Sequence, residues 1–268
     1  MKAVVLHAGL GNQLFHYSFF KYLKNNIDSH TFAFFLDFGE HNGYELSDFF
    51  QTDIRLSKIA YCLYRIINSL RYRLNSQTLS DLFVYEGKSI GKNPLFYYGD
   101  WQDKKYLNNA ICFKDLPLSD RNANIKRMLL KGNSVAIHIR RGDYLSMNNK
   151  GLYWNLSETN YYQQAIAYVK ARFDNCSFFV FSDDMPWVKS HLKMEYACYV
   201  NWNKGKDSAY DMYLMSQANA IVIANSTFSF WAGYLNRRAA LCIYPLKWYH
   251  EESGLTNPDI FPEGWIGL

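Results

Sequence analysis

Apolar residues fall in short runs separated by amphipathic stretches, and this alternation continues along the whole chain. Residues 2–7 read as a short buried strand, residues 8–11 as a glycine-containing loop, and residues 12–25 as a helix. Phe15, Phe19 and Leu23 recur there at i, i+4 and i+8, which gives a helix an apolar stripe. Residues 31–36 are a second apolar run. Strand, glycine loop, helix and strand in that order open an α/β domain. Residues 55–74 predict a long helix. Ile59, Leu63, Ile66, Ile67, Leu70 and Leu74 share one face, Arg55, Lys58, Arg65 and Arg73 lie largely opposite, and no acid occurs between Asp53 and Asp81. Short strands are expected at 82–85 and 95–98.

The second half alternates more cleanly. Strands are expected at 134–139, 177–181, 197–200, 220–224 and 239–244. Helices are expected between them at 157–172 (capped by Ser157), around Pro186, at 209–217 and at 228–236. Repeated β-α-β order predicts a parallel, doubly wound sheet. A boundary near residue 125 gives two domains, 1–125 and 126–268. Two such halves predict a cleft at the carboxyl ends of their strands.

Composition narrows the classes. A chain of 268 residues fits one large or two small domains. With 49% hydrophobic and 20% charged residues, disorder is excluded. A net charge of +5 is only mildly basic. It suits a nucleotide, a phosphate or an anionic lipid surface, and no nucleic-acid partner is expected. The 5 cysteines are odd in number and widely spaced without a CxxC pair. Neither a disulfide framework nor a zinc site is expected, and a reducing compartment fits. The amino terminus is too polar for a signal peptide, and no apolar run reaches the roughly 20 residues of a membrane span. The expectation is a soluble cytoplasmic protein that at most rests on the inner membrane face. The 55–74 helix is the segment suited to an anionic membrane, although an ordinary domain helix with a solvated basic face accounts for the same pattern.

Four constellations carry candidate chemistry. Gly9-Leu10-Gly11-Asn12-Gln13 joins the first strand to the first helix. Glycines there let backbone approach a ligand, and a helix N-terminus offers N–H groups to an anion. Leu14 occupies the third glycine position of a dinucleotide fingerprint, so that motif is incomplete. His138-Ile139-Arg140-Arg141-Gly142-Asp143-Tyr144 begins where a strand ends, the position from which α/β sheets present ligand groups. Paired arginines at that place suit bidentate phosphate recognition; one of them pairing with Asp143 is the structural alternative. Ser182-Asp183-Asp184 also follows a strand, where the acids can hold a ribose, a metal or the helix opening at Pro186. Asn225-Ser226-Thr227-Phe228-Ser229, between a strand and a helix, makes a phosphate cradle or a helix cap. Asp211 sits on a half-apolar helix and can accept two hydrogen bonds from a guanine edge. Ser-His-Asp order, HExxH and Walker motifs are absent, so hydrolase and P-loop readings have no sequence support.

Taken together, the segments Gly9–Phe15 (GLGNQLF), Gly99–Leu107 (GDWQDKKYL), His138–Tyr144 (HIRRGDY), Phe181–Lys189 (FSDDMPWVK), Asp211–Asn236 and Tyr244–Tyr249 (YPLKWY) resemble glycosyltransferase family 11, the α-1,2-fucosyltransferases of bacterial type. The resemblance spans nearly the whole chain. It implies a GT-B fold, two Rossmann-like domains facing across a cleft, the first on the acceptor side and the second binding GDP-fucose. It implies inverting, metal-independent transfer of L-fucose to the 2-hydroxyl of a galactose-terminated acceptor in a cell-surface or lipid-linked glycan. No cofactor is implied; GDP-fucose is a co-substrate.

By the same carry-over, Arg140 contacts the β-phosphate as GDP leaves, and His138 and Asp211 read the guanine. Gly9, Gly11, Arg141, Asp183, Asp184, Asn225, Ser226, Thr227 and Phe228 complete the expected donor site. Arg140, Asn12 and Asp143 form the expected catalytic group, with the base left open between Asp143, Asp183 and a water relay. Three departures stand out. Phe230 occupies a position of the family's Trp, Ala232-Gly233 inverts the common small-residue pair, and Asn219 stands where His is common. A GT-B transferase of another donor or linkage, and a non-catalytic glycan-binding protein, are the alternatives.

Overall fold

The computed structural model describes residues 2–39, 41–86, 94–145, 151–192, 194 and 196–268, together with the backbone but not the side chain of Asp143. The chain divides into two compact units, Met1–Lys114 and Asp115–Leu268.

The first unit carries β1 (Lys2–Leu6), α1 (Leu10–Asn26), β2 (Thr31–Phe35), α2 (Leu46–Phe49), α3 (Lys58–Leu74), α4 (Gln77–Ser80), β3 (Phe83–Tyr85) and β4 (Phe96–Tyr98). Its strands are all parallel, in the order β2-β1-β4-β3. After β2 the chain crosses to β3 at the far edge and then forms β4 beside β1, so the strand order reverses between β1 and β4. The apolar stripe read for the first helix is real: Phe15, Phe19 and Leu23 are buried. That helix starts at Leu10, earlier than expected, so Gly11 and Asn12 lie in its first turn.

α3 shows the sharpest difference from the sequence pattern. Ser57 caps it by accepting from the Ala60 N–H at 3.1 Å. Its expected core face is largely in solvent, however, with Ile59 74% and Leu74 65% exposed. Arg71 is only 8% exposed. The helix packs on the sheet through the edge bearing Ala60, Tyr64 and Ile67, beside Phe34, Phe83 and Phe96. Periodicity shows that a face is apolar; it does not show which edge of it meets the sheet.

The second unit carries α5 (Asp120–Leu129), β5 (Ser134–Ile139), α6 (Tyr161–Arg172), β6 (Ser177–Ser182), α7 (Met185–His191), β7 (Cys198–Val200), α8 (Ala209–Met215), β8 (Ala220–Val222), α9 (Thr227–Tyr234), β9 (Leu241–Tyr244) and β10 (Ile266–Gly267). All six strands are parallel, in the order β10-β9-β8-β5-β6-β7. Renumbered within the unit this is 3-2-1-4-5-6 read from the β7 edge, the doubly wound dinucleotide-binding order. β5 is buried along its whole length, as a parallel strand covered on both faces must be. α5 belongs to this unit through the Lys126 Nζ–Tyr213 hydrogen bond (2.6 Å) and an Asn122–Asn203 pair. The division therefore falls ahead of that helix, whereas the sequence pattern put it inside, at residue 125. α6 begins at Tyr161, so Ser157 is not its cap; Ser157 lies in a short 3-10 turn and takes a different partner.

Candidate functional site

In an open parallel sheet, ligands bind outside the carboxyl ends of the strands where the order reverses. In the second unit that point lies between β5 and β8. β5 runs out into Arg140-Arg141-Gly142, and β8 runs out into Asn225-Ser226, leading to α9. Tyr144 ties the two loops by donating its hydroxyl to the Asn225 carbonyl at 2.6 Å. Two motifs far apart in sequence thus meet at one sheet edge.

Among the described residues the arginines are held by the two acids that follow β6. Asp183 accepts from the backbone N–H of Arg141 (Oδ1, 3.0 Å) and of Gly142 (Oδ2, 3.1 Å), and its Oδ2 meets Arg140 Nε at 3.4 Å. Arg141 Nη1 pairs with Asp184, its Nε donates to Ser157 Oγ at 3.2 Å, and its guanidinium stacks 4.9 Å from the Trp187 ring centroid. Asp184 also caps α7 by accepting from the Trp187 N–H at 3.2 Å. Both acids therefore shape the arginine loop. Arg141 is anchored and 21% exposed at its side chain, while Arg140 is the more open at 32%. Asp143 opens a one-turn 3-10 helix, Asp143–Leu145, and its side chain lies outside the described residues.

At the other side of the reversal, the polar run after β8 divides by role. Asn225 is fully buried and donates from Nδ2 to the carbonyls of Trp154 (2.8 Å) and Trp248 (2.9 Å). Through its Nδ2 it staples two loops. Ser229 is also buried, bonding back to Ala224. Ser226, Thr227 and Phe228 are half-buried at the start of α9, and Ser226 makes no side-chain hydrogen bond to the first turn. The first N–H groups of α9 are thus not occupied by a cap, which suits an anion. His138 is 5% exposed, with its ring 5.8 Å from that of Phe228. The sequence departure at Phe230 lies in the core, its ring against Trp231 and Trp265.

Asp211 lies in the first turn of α8. It accepts from Asn203 Nδ2 at 2.7 Å, and Asn203 in turn bonds Asn122, which also accepts from the Trp202 indole N–H. Burial pushes its carboxyl up to about 7, and the Asn203 bond offsets this only in part.

In the first unit, Gly9 precedes α1 with extended backbone, and α1 has neither a side-chain cap nor an acid in its first turn. A Cβ on Gly9 would stand 3.5 Å from the His41 ring. Gln13 is fully buried and holds the loop beyond β2 through Gly43 and the N–H groups of Glu45 and Leu46. Sequence reasoning missed three residues at the reversal between β1 and β4. His7, His16 and Asp100 have potential ligand atoms within 4.8 Å of one another. Burial lowers both imidazoles, His16 well below the usual histidine range, and raises Asp100. Neutral imidazoles beside a carboxylate form a donor set that can hold a divalent ion. The His-x₈-His spacing across a strand–helix turn was the available signal.

Comparison with known proteins follows the same lines. The family model "Glycosyl transferase family 11" matches residues 1–268. An "Alpha-1,2-colitosyltransferase" of Escherichia coli is 31% identical over 98% of this chain and 97% of its own length. A bovine "Galactoside 2-alpha-L-fucosyltransferase SEC1" is 34% identical, over 38% of this chain and 28% of its own length. Among solved structures, the NodZ alpha-1,6-fucosyltransferase co-crystallized with GDP superposes with a TM-score of 0.52 over 90% of this chain and 93% of that one, at 12% identity. It shares the fold, which is that of the GT-B glycosyltransferases. The chain belongs to glycosyl transferase family 11.

Proposed function

We propose that this protein is an inverting transferase that moves L-fucose from GDP-fucose to the 2-hydroxyl of a β-galactoside, with no resident metal. The observation that carries the reading is the pairing of Arg140-Arg141 with the uncapped start of α9 across the strand-order reversal of the second unit. A diphosphate fits cations on one side and backbone N–H groups on the other. In the step, the acceptor 2-hydroxyl oxygen bonds to C1 of fucose while the bond from C1 to the β-phosphate oxygen breaks. GDP leaves with the electron pair, and the hydroxyl proton passes to a base.

Charge grows on the β-phosphate as that bond breaks, so a guanidinium aimed there stabilises the transition state more than the ground state. Arg140 is assigned this role, with Asp183 gripping its Nε edge. Ser226, Thr227 and Phe228 are assigned to the phosphates, and Asp211 and His138 to the guanine. Gly9 and Gly11 are assigned to the donor, and Asn12 to the catalytic group. Asp183 already accepts from two backbone N–H groups and Arg140, which leaves Asp143 or a water relay as the base.

One observation favours a second donor. One relative matched along nearly all of both chains carries the name of a colitosyltransferase, and colitose is fucose without its 3-hydroxyl. Product analysis by NMR, after incubation with GDP-fucose or GDP-colitose and a panel of β-galactosides, tests both. An α-1,2 linkage from GDP-fucose supports the first reading, the same linkage from GDP-colitose alone supports the second, and preference for a UDP-sugar refutes both. Arg140→Ala is expected to lower kcat about 100-fold or more with the fold intact.

The acceptor is read as part of a cell-surface or lipid-linked glycan, met in the cytoplasm or at the inner membrane face. The exposed apolar residues Ile59, Ile66, Leu70 and Leu74, beside Lys58, Arg65 and Arg73, support contact with an anionic membrane. Among the described residues no helix is long and apolar enough to cross one. Flotation with anionic liposomes at low salt tests the contact; absence of binding refutes it.

A further inference from the structure

A cavity of about 710 Å³ opens beside α3 in the first unit. Its floor is the carboxyl edge of the four-stranded sheet, with Tyr85 and Tyr98 ending β3 and β4 and residues 36–38 following β2. Its size is that of a site for a small ligand. Its walls are aromatic, and its charged lining consists of Lys58, Arg65 and Arg71 against Asp37.

Arg71 is the unusual member. It is more than nine-tenths buried, yet among the described residues no carboxylate pairs with it. Its Nη2 donates to the hydroxyls of Tyr85 (2.6 Å) and Tyr72 (3.1 Å), and its guanidinium lies 4.0 Å from the Phe83 ring centroid. Its Nε is buried without a hydrogen-bond partner, and so is Oδ1 of Asn68, one helical turn earlier on the same cavity wall. A buried charge without a counter-charge is costly, and ring faces and neutral hydroxyls offset that cost only in part. The arrangement has a cation whose Nε lacks an acceptor, an amide oxygen that lacks a donor, and flanking tyrosine rings. It lacks an anion and a hydroxyl.

We infer that this cavity binds the acceptor through an anionic substituent, a phosphate or a carboxylate carried on a sugar ring, with Arg71 pairing the anion and Asn68 accepting from a ring hydroxyl. A guanidinium binds either oxyanion through charge-assisted N–H···O bonds, and the tyrosine rings supply flat apolar surface for a sugar face. This inference rests on the galactoside reading above and adds that the acceptor carries an acidic group.

Isothermal titration of the full-length protein with galactose 1-phosphate, galacturonic acid and methyl β-galactoside tests it. The expected result is that one or both acidic sugars bind about tenfold or more tighter than the neutral one. The acid that binds tells whether the substituent is a phosphate or a carboxylate. Arg71→Gln should erase the preference. Because that change lies in a packed site, Asn68→Asp provides a second variant: its new carboxylate, one turn from Arg71, should raise Tm by pairing with the arginine and also erase the preference. Equal binding of acidic and neutral sugars by the unaltered protein, or an undiminished preference in Asn68→Asp, overturns the inference. Transfer from GDP-fucose to neutral β-galactosides is assayed alongside. Intact transfer without any acidic preference overturns the cavity assignment alone, and an acidic preference without transfer overturns the transferase reading alone.

Discussion

Asp211→Asn separates a ligand-binding carboxylate from a structural one. The carboxyl moves from 3.8 to about 7 on folding, because burial penalises the charged form. A folded-state value above the unfolded one means that the folded state holds its proton longer. Stability attributable to this group is therefore intact below pH 4 and is lost as pH rises through 7. At about 1.4 kcal/mol per pKa unit, a shift of roughly 3 units makes the penalty about 4 kcal/mol at pH 8, as an upper value. An asparagine keeps the shape and the acceptor for Asn203 without the charge. Urea unfolding should show the variant gaining up to about 4 kcal/mol at pH 8 and little at pH 4.

Binding should move the other way. If the carboxylate accepts from the guanine edge, the variant loses a charge-assisted bond of about 1.5–3 kcal/mol, which is about a 10- to 150-fold weaker affinity for GDP by titration calorimetry at pH 8. Stability gained and affinity lost is the expected pair of results. A variant no more stable than the parent at pH 8 refutes the burial argument, and unchanged GDP affinity refutes the guanine role.

Asp183→Asn should keep the fold but loosen the arginine loop, since an amide cannot accept from two backbone N–H groups and pair with Arg140 at once. The expected signature is a kcat reduced by about tenfold or more with little change in KM for the acceptor, and an unaltered kcat removes Asp183 from its positioning role. Asn225→Ala should cost about 2–4 kcal/mol in chemical denaturation, because it strands the buried carbonyls of Trp154 and Trp248; a loss under 1 kcal/mol contradicts the staple.

Much of the site was visible in the sequence because strands in a parallel sheet carry their ligand groups at one end. A continuous apolar run such as Ser134–Ile139 announces a doubly covered strand, so the residues that follow it, Arg140 and Arg141, had an address before any tertiary contact was known. The partners of those arginines did not. Asp183 and Asp184 lie far from that loop in sequence and reach it because β6 pairs beside β5 in register from Ser134 to Ile139. That Asn225 also seals two loops was not legible, since composition cannot tell which carbonyls a polar side chain will meet.

What the sequence determined by itself was local: the order of strands and helices, their parallel sense, and the strand-end positions of the motifs. These follow from periodicity and from chirality, which leave few ways to join parallel strands. Tertiary structure alone decided which strands are neighbours, and hence that the loops after β5 and β8 face each other across a reversal. It also decided which edge of α3 meets the sheet. The apolar face of that helix is set by its residues, but its docking angle depends on the bulk of Phe34, Phe83 and Phe96 beneath it. That angle turns Arg71 inward and Ile59 outward. A helix declares its faces, but only the surface it lands on decides which is buried.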